Sequence, residues 1–165
     1  MTAASTVAVR SSIRPTAVGE ALGVALVIAG GLVAAVAGPL QLERGSWLAA
    51  YLVLVCGVAQ CLVFRSFAHV GWANGRRGWG ALAAWNAGNL LVMVGALARL
   101  PLVADVGGLL LVVPLVAALR ATFATPPASR VSAGRSTRVL ARLVLAAVLI
   151  GVPVGLVLTH LRSAG

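Results

Sequence analysis

The sequence predicts an all-α integral membrane protein, five transmembrane helices in one bundle with the amino terminus inside and the carboxyl terminus outside. Three observations carry this expectation. The chain is 61% hydrophobic and only 10% charged. Its apolar runs approach the roughly 20 residues that cross a bilayer as a helix. They also follow one another with short polar interruptions, which leaves too little polar sequence to coat a soluble core.

Residues 1–16 are small, polar and unpatterned, a flexible cytosolic tail carrying Arg10 and Arg14. The first span, 17–37, stops at Gly38-Pro39. Basic flank, apolar core and Ala35-Val36-Ala37 together imitate a secretory signal. Alanine is so common in this chain that the match is weak, and the segment is read as an uncleaved span. In the short loop that follows, Glu43 and Arg44 cancel. The second span, 47–64, places Trp47 and Tyr51 near an interface, where aromatic rings prefer to sit, and ends at Arg65. Residues 66–78, with Arg76 and Arg77, are too polar to cross and read as an interfacial loop.

The third span, 79–98, is apolar yet contains Asn86 and Asn89. On a helix, Ala81, Ala84, Gly88 and Gly95 form one stripe and Asn86, Asn89, Met93 and Ala96 another. Small residues permit close backbone approach and amides bond across helices, so this span is expected at the centre of the bundle. Arg99-Leu100-Pro101 is a tight turn into the fourth span, 102–119, which carries Asp105 near its start and Pro114 near its middle. Pro114 removes a backbone donor and is expected to kink the helix or mark a packing seam. Residues 120–138, with Pro126-Pro127 and four arginines, read as a loop. The fifth span, 139–161, has Arg142 at its beginning, Gly151, Pro153 and Gly155 inside, and His160 at its end.

The topology follows from the arginines, since all 13 basic residues are Arg. With the amino terminus inside, Arg10, Arg14, Arg65, Arg76, Arg77, Arg120, Arg130, Arg135 and Arg138 lie in inner segments and Arg142 at the inner edge. Arg44, Arg99 and Arg162 alone fall outside, as the positive-inside rule requires. Arg without Lys reads as the bias of a GC-rich bacterial genome, and the expected location is a bacterial cytoplasmic membrane. In that setting the net charge of +10 points to anionic lipid headgroups at the cytosolic loops rather than to nucleic acid.

Counted at about 1.5 Å per residue, the polar side chains of the spans fall into two layers. Glu20, Gln60, Asn86, Asn89 and Arg142 share the inner half, so a buried network is expected there, Glu20 paired with Arg142 and Gln60 bonded to Asn86 or Asn89. An outer ion pair is expected for Asp105, with Arg99 across the turn or with His160. Cys56 and Cys61, five residues apart, face different directions on an α-helix and read as packing residues. His69 and His160 lie at opposite ends and cannot ligate one haem, and no nucleophile elbow, phosphate loop or metal-ligand spacing occurs. No cofactor and no enzymatic activity are expected. The leading expectation is a non-enzymatic accessory or structural subunit that packs with another membrane protein or with itself. The alternative is a small oligomeric transporter or channel using the inner polar layer.

Overall fold

The structure, a computed structural model, describes residues 14–70, 75–124, 139 and 141–151. Among the described residues there are only helices and their connections. Helix α1 is Pro15–Ala37, entered by a proline in the first turn, where a missing N–H costs nothing. Helix α2 runs continuously over residues 45–70 in three parts: α-helical Gly45–Tyr51, π-helical Leu52–Ala59 and α-helical Gln60–Val70. Helix α3 is Arg76–Ala98, α4 is Pro101–Ala124 and a shorter α5 is Ala141–Gly151. Four of these, α1 to α4, are long and apolar enough to cross a membrane.

Two loop expectations are corrected. Residues 66–70 continue α2, with Ser66 and Phe67 buried, and α3 begins at Arg76, so little is left of an interfacial loop. Residues 120–124 likewise continue α4, where Ala121 and Thr122 are buried. Polar residues in both segments satisfy themselves within the helix: the Ser66 hydroxyl donates to the Leu62 carbonyl and the Thr122 hydroxyl to the Leu119 carbonyl, each at 2.7 Å. Helix α4 passes through Pro114 without ending. Pro114 is buried on the side that also carries Leu111, Leu115 and Ala118, the packing seam.

α1 packs along α2, α3 along α4, and the second half of α2 joins the two pairs by lying against α4. The centre is therefore α2 and α4 rather than the third span: 44% and 39% of their apolar windows are buried, against 28% for α3. At the end where α1 begins and α2 finishes, large side chains fill the space. Phe64, Phe67, Leu82, Trp85, Leu111, Leu115 and Leu145 form one buried cluster, and Phe64 meets Phe67 edge to face at 5.7 Å.

Toward the other end, small residues take over and the backbones close up. A β-carbon on Gly95 would lie 2.5 Å from the Ala104 backbone nitrogen, and one on Gly107 would lie 2.6 Å from the Gly88 carbonyl oxygen. Gly88 and Gly95, placed on one stripe by the sequence, thus meet α4 as a pair. The same device joins α1 to α2, where Gly23 and Gly57 each face the other's carbonyl oxygen. Gly57 lies in the π-helical stretch, whose i→i+5 bonds accommodate an extra residue and reset the register of the faces on either side.

Gly95→Val is therefore expected to destabilise the bundle by about 1–3 kcal/mol through overpacking against backbone that has no side chain to move. Gly31, which has nothing within 4 Å, is the matched control. Gly31→Ala is expected to be neutral or to stabilise by up to about 1 kcal/mol, since alanine is the better helix former. Thermal unfolding of both variants in one detergent checks the contrast.

Candidate functional site

The residues of the expected inner layer do come from neighbouring helices, but they bond mainly to backbone. Gln60, fully buried, donates from Nε2 to the Gly19 carbonyl on α1 at 2.9 Å. One residue on, the Cys61 thiol donates to the Glu20 carbonyl at 3.5 Å. Asn86 Nδ2 donates to the Leu82 carbonyl one turn back, and Asn89 Nδ2 to that of Trp85, both at 2.9 Å. Gln60 therefore bonds neither asparagine, contrary to expectation.

The amide with a cross-helix side-chain partner is Asn89. Its Oδ1 accepts the Tyr51 hydroxyl from α2 at 2.9 Å, and Tyr51 in turn stacks on Trp47 with ring centroids 5.4 Å apart. Tyr51 thus turns into the bundle instead of serving as an interfacial anchor. Helix α2 presents Tyr51 and Gln60 on opposite sides of the π-helical stretch, one toward α3 and one toward α1.

Arg142 does not pair with Glu20. Its Nη2 donates to the Thr122 carbonyl at 2.7 Å, and its guanidinium carbon sits 4.3 Å from the centroid of the Phe123 ring. The reason is where α5 docks. Leu145 enters the core beside Leu115 and Ala118, which brings Arg142 to the last turn of α4, where carbonyls lack intrahelical partners and a cation complements the helix dipole. Arg44 plays the same part at the end of α3: its Nη1 donates to the Ala96 carbonyl and, at 3.3 Å, to that of Leu97. Sequence reasoning had cancelled Arg44 against Glu43 and so missed it.

Of the expected outer set, Arg99 is exposed and adopts the left-handed conformation at the end of α3, with φ of 56°, and its N–H donates to the Gly95 carbonyl. Asp105 is half-buried near the start of α4. His160 lies outside the described residues, as do 152–161 of the expected fifth span.

Gln60 Oε1 and Trp85 Nε1 are buried in the core without a hydrogen-bond partner. One is an acceptor and the other a donor, and both residues are fully buried. Trp85, which sits one turn before Asn89, is the polar-capable residue that the sequence reading passed over. No group of three or more His, Cys, Asp or Glu side chains with metal-holding geometry occurs among the described residues. The cysteines are free thiols, Cys56 buried and Cys61 half-buried. Elsewhere, a shallow apolar cavity of about 440 Å³ opens between the end of α1 and the start of α2, lined by small residues that include Ala34, Gly38, Ser46 and Ala50.

This geometry predicts two outcomes. In a double-mutant cycle of Tyr51→Phe and Asn89→Leu, the coupling is expected near 0.6 kcal/mol and below about 1.7 kcal/mol, the range of interhelical hydrogen bonds in membrane bundles. Gln60→Met keeps the side-chain length while removing both the bond to Gly19 on α1 and a buried unsatisfied acceptor, two losses of opposite sign that are expected to leave the thermal midpoint nearly unchanged. No protein-family model, curated protein or solved structure matches the chain.

Proposed function

We propose that this protein is a non-enzymatic accessory or structural subunit of a bacterial cytoplasmic membrane, a five-span bundle with the amino terminus inside. It packs there with another membrane protein or with itself. The observation that carries this reading is the destination of the intramembrane polar groups. Gln60, Arg44 and Arg142 donate to backbone carbonyls of neighbouring helices and Tyr51 donates to Asn89, which ties helices together, while Asn86 and Asn89 spend their own donors on carbonyls one turn back in α3. The apolar surface supports it as well. α1 exposes Val24, Ile28 and Leu32, and the cavity at its end is lined by residues small enough to admit another helix.

Native mass spectrometry of the full chain, extracted from its own membrane in a mild detergent, tests the reading. Recovery in a defined complex is the expected outcome, and a monodisperse monomer without partners would overturn it. Single-cysteine labelling from either side of the membrane, in a background lacking Cys56 and Cys61, tests the orientation. Residue 5 is expected to react only from the cytosol and residue 41 only from outside.

One observation favours a second reading, a small oligomeric transporter or channel. Gln60 Oε1 and Trp85 Nε1 are an acceptor and a donor buried without partners, and such atoms suit a water or a polar solute. Here Gln60→Met and Trp85→Phe would abolish flux in proteoliposomes while leaving the fold intact. Under the structural reading there is no flux to lose.

A further inference from the structure

The charged side chains are distributed unevenly over the bundle. At the end where α2 and α4 finish and α3 begins, the described residues include Arg65, Arg76, Arg77, Arg120 and Arg142. Most of these are simply exposed. Arg142 differs, because its position is fixed and no carboxylate of the described residues pairs with it. One side chain N–H goes to the Thr122 carbonyl, the guanidinium face rests on Phe123, and Nε is buried with no hydrogen-bond partner.

Arg120 precedes Phe123 by three residues on α4, so the two share a face of the helix. Arg120 is exposed and the Phe123 ring is 65% exposed. The Phe123 ring thus carries the Arg142 guanidinium of α5 on its face and has Arg120 one turn back along its own helix. Like charges at neighbouring positions repel, and an anion that binds both relieves the repulsion. Guanidinium forks match the oxygens of a phosphate group, and the pair gives such a group donors from two helices. Apolar surface adjoins the charge: Leu143, beside Arg142, is 63% exposed, and Val139, one turn earlier on the same face, is exposed too. A phosphate next to exposed apolar side chains describes an amphiphile rather than a free ion.

We infer that the junction of α4 and α5 binds the headgroup of an anionic phospholipid, its phosphate between Arg120 and Arg142 and its acyl chains along Phe123, Val139 and Leu143. This rests on the membrane reading above and adds a specific lipid position to it. Bound there, the lipid ties the short α5 to α4.

The test uses the full chain purified in a mild detergent and titrated with phosphatidylglycerol or with phosphatidylcholine, the number of retained lipids being read by native mass spectrometry. The wild type is expected to retain phosphatidylglycerol over phosphatidylcholine. Arg120→Gln, an exposed position whose loss leaves the core untouched, is expected to reduce that retention at least three-fold, and Arg65→Gln, an exposed arginine on α2, to leave it unchanged. Arg142→Lys keeps the charge but loses the fork and is expected to fall between. Equal retention by the Arg120→Gln variant, or an equal loss from Arg65→Gln, would overturn the inference in favour of diffuse charge attraction. Displacement of the lipid by millimolar inorganic phosphate would overturn it in favour of a free-anion site. Release of the chain from native membranes by alkaline carbonate would instead overturn the membrane reading, and this inference with it.

Discussion

The close approach of helix backbones at glycine is the constraint on which the arrangement depends. Where Gly88 faces Gly107 and Gly95 faces Ala104, α3 and α4 come so near that a single added methyl group would meet main-chain atoms. Hydrocarbon provides no hydrophobic drive between apolar helices, so contact area and hydrogen bonds must hold them. Glycine supplies the contact at one end of the bundle. At the other end Phe64, Trp85 and Leu115 interlock by bulk. The bundle is thus narrow where its residues are small and filled where they are large, and along α2 the neighbour reached by its polar side chains changes partway.

That change coincides with the π-helical stretch Leu52–Ala59. Before it, α2 offers Tyr51 to Asn89 on α3; after it, Gln60 reaches Gly19 on α1. A uniform α-helix fixes the angle between any two of its side chains by their spacing alone, whereas a π turn relaxes that relation by one residue. The helix thereby serves neighbours on two sides without a break in its backbone, and Gly57 within the stretch lets α1 approach closely.

The sequence made the helices legible because length and hydropathy are additive properties of a segment. The spans at 17–37, 79–98 and 102–119 each lie within a helix of the structure, and the stripe containing Gly88 and Gly95 is a true contact face. Ends were less legible. Residues 66–70 and 120–124 looked too polar for helix, yet Ser66 and Thr122 bond carbonyls in their own turns and cost the helix little. Least legible were the polar partners. Pairing Glu20 with Arg142 assumed that charges seek charges, but the acceptors actually used, at Gly19, Thr122 and Ala96, are main-chain oxygens. Every residue carries such an oxygen, so nothing in the side-chain sequence marks which will be reached. The centrality of the third span failed for a related reason: two functional stripes suit a helix with two neighbours, but burial is decided by which helices the others choose to lie on.

The contact from Arg44 to the end of α3 spans 52 residues of chain. Arg44 leaves the ribosome with the loop after α1, well before the carbonyls of Ala96 and Leu97 exist. The α1–α2 hairpin is therefore synthesised before its loop arginine has this partner, and the bond can close only when α3 has been laid down beside it. The contact thus imposes an order, in which the loop of the first hairpin is fastened only after the second has been made.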